Sequence, residues 1–299
     1  MVDISIIMAT YNRGKSIERA ILSALNQSFK NFELVIVDDG SKDNTKEIVE
    51  SIKDDRITYY YKENGGQSSA RNYGIKRAKG QYIMFLDDDD EYVEDALERS
   101  LKRIKETGLK WIYCTQYLSI RKDEEVLVDR GNGIKGDVYK YLLSGNFLGT
   151  GEIFAKEVFE AAGYFDETLK IYEDKEMRVR IAKLGYAVDY LEGYIYKYYE
   201  NESSVSSAYK DKTKRRIRFY YAQKKMYDEN REFIEKDAEL YNYWMKLMRR
   251  TNTEVKNYKT SIYYSKECLK IKKNFRNYRK YLFSLIMGTI FKNSLSLVS

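Results

Sequence analysis

Short apolar runs alternate with amphipathic stretches through the first 120 residues. Residues 4–10, ISIIMAT, are nearly all apolar and predict a strand buried on both faces, whereas residues 16–27, SIERAILSALNQ, carry apolar side chains at helical spacing. The alternation then repeats. FELVIVDDG (32–40) predicts a strand, SKDNTKEIVESI (41–52) a helix opening on cap-type residues, and ITYYYKENGG (57–66) a strand running into a glycine turn. SSARNYGIKRAKG (68–80) predicts a helix with Gly80 as its C-cap. QYIMFLD is the fourth strand, 93–108 the next helix and 109–120 the fifth strand. Strands and helices joined by short loops predict a mostly parallel sheet with helices on both faces. Ligands in such sheets bind beyond the carboxyl ends of the strands. Polar clusters fall at three of those ends: Thr10-Tyr11-Asn12, Asp38-Asp39-Gly40-Ser41 and Asp87 to Asp90.

Composition narrows the chemistry. A chain of 299 residues with 43% hydrophobic and 33% charged side chains is globular, as one large domain or a domain with an appendage. Neither a leader peptide nor a membrane-spanning run is predicted, and two distant cysteines, Cys114 and Cys268, fit packed thiols in a reducing compartment. A cytoplasmic location is expected, with a possible peripheral position on the membrane's cytoplasmic face. The chain has no histidine, which excludes histidine bases, triads and metal ligands. Charge is divided unevenly: residues 1–207 carry −7 and residues 208–299 carry +14. That asymmetry predicts an acidic catalytic body, 1–207, and a basic helical appendage, 208–299.

Two acidic clusters stand out. Four consecutive aspartates, Asp87 to Asp90, follow the apolar run Tyr82 to Leu86. Acidic runs are commonly solvated loops, but four carboxylates at the end of a buried strand favour a hard cation, since Mg²⁺ and Mn²⁺ take oxygen ligands and often bridge to substrate phosphates. The second cluster is YEDKEMRVR (172–180). Acids at a helix N-terminus are favourable against the helix dipole without any function. Without histidine, however, an Asp or Glu is the natural general base.

Six motifs, MATYNR, VIVDDGSKDNT, NGGQSSARNYGI, GQYIMFLDDDD, GYFDETL and YEDKEMRVRIAKLG, occur in one order over residues 3–206, and in that order the chain resembles the family 2 glycosyltransferases of the GT-A fold. The resemblance implies a Rossmann-like mixed sheet and transfer of a sugar from a nucleotide-diphosphate donor, here a UDP-sugar, with inversion and divalent-metal assistance (Mn²⁺ or Mg²⁺). It makes Asp89 the metal ligand, with Asp87 and Asp88 near ribose and phosphates. By the same resemblance Asp39 would accept from the uracil and Tyr11 would pack on its ring, with Thr10 and Asn12 completing that loop, while Asn64, Gly65 and Arg71 would form the donor loop. The resemblance also implies Asp174 as the catalytic base, with Glu173 and Arg180 on the acceptor side. In many members a histidine just before the stretch matching ENESSVSS (200–207) helps hold the metal; Tyr198, Tyr199 and Glu200 stand there in this chain. ENESSVSS itself is expected to form a lid, and LGTGEIF (148–154) the floor of the acceptor side.

Residues 208–299 predict several basic helices, with the apolar run around Leu282–Phe291 after a basic cluster. They suit packing on the catalytic domain or on another subunit, or docking on a membrane surface, rather than nucleic acid, for which no module is present. A glycan or lipid-linked acceptor is expected. Two rival functions remain at this level. One is a nucleotidyltransferase that makes nucleotide sugars, although MATYNRGKS lacks the multiple glycines of its phosphate loop. The other is a non-catalytic binder of sugar nucleotides.

Overall fold

A computed structural model describes residues 2–200 and 211–290, apart from 123, 131, 132, 135, 147, 149 and 150. The chain divides into two compact units, Met1–Ser204 and Val205–Ser299.

The first unit opens as the alternation predicts. Strands β1 (Ile4–Thr10), β2 (Phe32–Asp38), β3 (Ile57–Tyr61) and β4 (Tyr82–Phe85) pair in parallel in the order β3-β2-β1-β4. Every residue of β2, and every residue of β1 except Ala9, is buried, because helices cover both faces. Helices α1 (Ile17–Leu25), α2 (Thr45–Ser51) and α3 (Gln67–Arg77) connect the strands. Helix α1 turns Ile17, Ala20, Ile21, Ala24 and Leu25 inward, a single helical stripe.

Beyond β4 the sheet becomes mixed. The short strand β5 (Glu91–Tyr92) precedes α4 (Ala96–Thr107), and the long strand β6 (Trp111–Arg121) forms a hairpin with β7 (Glu124–Asp129). After α5 (Val138–Leu143), strand β8 (Ile153–Ala155) runs antiparallel between β4 and β6. Helices α6 (Glu157–Ala162) and α7 (Glu173–Lys183) lead to β9 (Asp189–Tyr199), which is parallel to β6 and antiparallel to β5. Local pattern places a helix from residue 93. The structure instead spends Glu91 and Tyr92 on pairing with Lys197 and Tyr196, and starts the helix three residues later.

Gly80 is a second departure. Helix α3 ends at Arg77 with Ala78 as its cap, so Gly80 does not terminate it. The glycine is needed for close approach. Its amide donates to Ser5 Oγ at 2.8 Å, and a Cβ there would lie 2.5 Å from the Ser5 backbone nitrogen. Ser5 in turn donates to the buried Glu33 carboxylate at 2.6 Å, tying the start of β4 to β1 and β2.

The second unit is helical: α8 (Lys212–Glu229), α9 (Arg231–Lys236), α10 (Ala238–Glu254), α11 (Tyr258–Ile271) and α12 (Phe275–Ile290). Its interior holds Met226, Ile234, Leu240, Trp244, Met245 and Met248. Helices α11 and α12 are joined through buried hydroxyls, Ser261 to Ser284 at 3.0 Å. Among the described residues no helix is long and apolar enough to cross a membrane, and Cys114 and Cys268 are buried free thiols.

Gly80→Ala is expected to lower stability by about 1–3 kcal/mol, because the added methyl meets backbone atoms that cannot rotate away. Urea denaturation measures it. An unchanged midpoint would show that β1 and β4 can separate at no cost.

Candidate active site

The carboxyl ends of β1, β2 and β4 and the N-terminal ends of α3 and α7 supply the chemistry-bearing residues. At the end of β1 Thr10 is buried, and Tyr11 just beyond it is 48% exposed. Asn12 adopts the left-handed region at φ 55°, which an asparagine tolerates. Its side-chain oxygen accepts from Lys42 N at 2.7 Å and its amide donates to Ser41 Oγ at 2.8 Å, so the loops after β1 and β2 hold each other.

Asp39 organises the entrance to α3. Its amide donates to Thr10 O, and its buried carboxylate accepts from Gly65 N at 3.0 Å, Gly66 N at 2.6 Å and Lys62 Nζ at 2.6 Å. Asn64 Nδ2 closes the same loop on the Asp39 carbonyl at 2.8 Å. Gly66 sits at φ 93°, where a side chain would be strained.

The four aspartates after β4 divide among three sets of partners, which lessens their mutual repulsion. Asp87 pairs with Arg71 at 2.8 Å. Asp88 and Asp89 face Arg13 at 3.3 Å and 3.5 Å. Asp90 turns into the protein, where its carboxylate accepts from Tyr196 Oη at 2.6 Å and Tyr199 N at 2.8 Å. Burial pushes the Asp88 carboxyl up to about 7 against the pull of the Thr10 hydroxyl and of Arg13, with the charges of Asp89 and Asp87 adding to the rise. Burial and Asp87 likewise raise Asp90 above the usual carboxylate range. Asp88 and Asp89 offer the oxygen ligands that a hard divalent cation takes, and in this structure Arg13 is the cation between them. Among the described residues no group of three or more side chains converges as a complete metal cage.

Arg71 reaches from the aspartates towards α7. Its guanidinium pairs with Asp87, lies 5.6 Å from the centres of the Phe85 and Phe165 rings, and is held in its charged form by Asp87, Glu173 and Asp174. Phe165 is anchored by Asn72, which accepts from Phe165 N at 2.9 Å and donates to Phe165 O at 2.9 Å. Helix α7 starts after Tyr172, at φ 63°, and carries Glu173 and Asp174 in its first turn. Burial and the Asp174 charge raise the Glu173 carboxyl, and Arg71 opposes them.

The arginine on Asp174 is not the one the sequence singles out. Arg180 binds Glu176 at 2.6 Å and donates to the carbonyls of Ala162 and Tyr164, which ties α7 to the end of α6. Arg178, one helical turn after Asp174, donates to Asp174 Oδ2 at 3.0 Å and grips Glu152 with two nitrogens, the shortest bond being 2.6 Å. Glu152 also accepts from Trp111 Nε1 at 3.0 Å. Arg178 and Glu152 are both nearly buried, while the Asp174 side chain is 43% exposed. The i to i+4 spacing of Asp174 and Arg178 was visible in the sequence, whereas Glu152 lies 26 residues from Arg178 and carried no local signal.

Where the family's histidine would stand, Tyr199 donates from its hydroxyl to Glu91 at 2.7 Å, with Arg19 over its ring at 3.5 Å. Glu200 continues along β6, accepting from Ser119 Oγ at 3.1 Å. The expected lid beyond Glu200, and residues 149–150 of the expected floor, lie outside the described residues.

The sequence profile of glycosyl transferase family 2 matches residues 5–163. An uncharacterized glycosyltransferase of Rickettsia typhi is 35% identical over 189 residues, covering 61% of this chain and 59% of that protein. The GalNAc(5)-diNAcBac-PP-undecaprenol beta-1,3-glucosyltransferase of Campylobacter jejuni is 39% identical over 110 residues, 36% of either chain. Among solved structures, residues 1–349 of S. aureus TarS in complex with UDP-GlcNAc superpose with a TM-score of 0.64 at 21% identity, over 95% of this chain and 80% of that one. The mixed sheet with covering helices is thus the fold of GT-A-like glycosyltransferase structures.

Glu152→Ala should destabilise the protein by about 3–5 kcal/mol, because Arg178 would remain buried with only the half-exposed Asp174 as counter-charge. Thermal denaturation checks this. A loss below about 1 kcal/mol would mean that water reaches Arg178 freely.

Proposed function

The chain belongs to glycosyl transferase family 2, and from that premise we propose that it moves a sugar from a UDP-sugar to a hydroxyl of a glycan or lipid-linked acceptor, with inversion. The observation that carries this reading is Arg71, one buried cation shared by the aspartates after β4 and the acidic pair that opens α7. Donor phosphates and acceptor hydroxyl must meet at such a point. The likeness to a structure holding UDP-GlcNAc supports the donor class, and the Campylobacter relative's name supports a lipid-linked acceptor. Catalysis is assigned to residues 1–207 and docking to residues 208–299.

In this reading Tyr11 offers its exposed ring to the uracil face, with Thr10 and Asn12 shaping the loop. Asp39, which orders the donor loop through Gly65 and Gly66, also reads the nucleotide by accepting from the base in place of Lys62. Asn64 and Gly65 hold that loop, and Arg71 faces the diphosphate, where a planar guanidinium suits phosphate oxygens. Asp87 lies beside Arg71 towards the ribose and phosphates. Asp89 would hold Mn²⁺ or Mg²⁺, with Asp88 near the ribose and phosphates; the metal when bound would neutralise charge on the departing diphosphate. Asp174 takes the acceptor's proton as its oxygen forms the new bond to the anomeric carbon, and the old carbon–oxygen bond breaks to release UDP. Arg178 occupies one Asp174 oxygen and leaves the other for that proton. Glu173 contacts the acceptor, and Arg180 acts by bracing α7 rather than by touching it.

Two substitutions test the assignment. Asp89→Ala is expected to abolish Mn²⁺-dependent UDP binding in calorimetry while the fold is kept, since Arg13 retains Asp88 as its counter-charge. Wild-type affinity in that variant removes Asp89 from the metal site. Asp174→Asn should cut transfer by about 10²-fold or more while donor binding stays near wild type. Transfer within a few-fold of wild type would move the base to Glu173.

A further inference from the structure

The second unit carries a surface whose chemistry its own interior does not use. Helices α10 and α12 border a cleft of about 730 Å³. Arg249, Arg250, Arg279 and Lys280 line it, and its acid, Glu254, is already bound to Arg250 at 2.9 Å. Arg249 Nε is buried, and the side chain lies against the Cys268 thiol. Along α12 the stripe Arg279, Leu282, Phe283, Ile286 follows helical spacing. Its three apolar members face outward, with Phe283 48% and Ile286 57% exposed, while Ser284 on the opposite side packs against α11. An amphipathic helix in a soluble bundle buries its apolar stripe; α12 exposes one directly after its cations.

We propose that this cleft and stripe are a docking site for an anionic phospholipid surface, with Arg249, Arg279 and Lys280 binding headgroup phosphates and Leu282, Phe283 and Ile286 entering the acyl boundary. The proposal rests on the reading of residues 208–299 as the docking region but not on glycosyl transfer. Charge complementarity selects the occupant. A second copy joined face to face would bring two sets of these cations together with no free acid in the cleft between them. A lipid surface supplies phosphate and hydrocarbon at the spacing of one helical turn. Burial, and then Arg249, Arg276 and Arg279, hold the Lys280 ammonium below its usual range, a crowding that phosphate would relieve.

The test is co-sedimentation of the full chain with vesicles of phosphatidylglycerol and phosphatidylcholine, against phosphatidylcholine alone. Binding is expected only to the anionic vesicles, with release as salt rises from 0.1 M to 1 M and the Debye length falls from about 10 Å to about 3 Å. The double variant R279E/K280E should bind at least about tenfold more weakly, and F283S/I286S should weaken binding as well. Circular dichroism confirms the fold of each variant. Equal binding to both vesicle types, or wild-type binding by both double variants, overturns the proposal. So does a salt-insensitive oligomer in light scattering with no vesicle binding. UDP release from a UDP-sugar, measured in parallel without vesicles, should not change in either variant; its absence in the wild type would count against the catalytic reading alone.

Discussion

Four carboxylates cannot share the end of one buried strand unless something divides them. Repulsion between like charges in a poorly solvated place is the constraint on which the site depends. The protein meets it by dividing the aspartates among three sets of partners. Arg71 takes Asp87, Arg13 takes Asp88 and Asp89, and the hydroxyl of Tyr196 with the amide of Tyr199 takes Asp90. Each partner comes from a different element: α3, the loop after β1, and β9. The acidic run therefore pulls distant segments of the unit together.

The same economy appears at the other ends of the strands. Asp39 uses its carboxylate to shape the loop 62–66 before α3, and α3 then presents Arg71 to Asp87 and Asn72 to the loop containing Phe165. At α7 the acidic first turn is balanced by Arg71 on one side and by Arg178 on the other, with Glu152 and Trp111 fixing Arg178 from β6 and the start of β8. Charged groups are satisfied in chains rather than in isolated pairs, so side-chain positions at the site follow from backbone placement several strands away.

Much of this was legible in one dimension. The parallel half of the sheet was readable because continuous apolar runs and helical stripes are properties of adjacent residues. The acidic ends of β2 and β4 and the acidic opening of α7 were visible for the same reason. Other features were hidden because they are relations between distant residues. Gly80 looked like a helix cap, but its reason is the Ser5 backbone, 75 positions away. The pairing of β5 with β9 spans more than 100 residues and shortens a helix that local periodicity would extend. Arg180 matched a family pattern yet serves α6, while Arg178, in the same motif, holds Asp174.

By itself, then, the chain determined its α/β order, its acidic clusters, the absence of histidine chemistry and the basic character of its last third, since these depend only on which residues are neighbours along the backbone. Tertiary structure decided which arginine answers which acid, which aspartate turns inward, and that α12 shows its apolar stripe to solvent. Those outcomes depend on burial and on separations of about 3 Å between residues far apart in sequence, and electrostatic and packing energies fall away too steeply with distance for the order of residues alone to fix them.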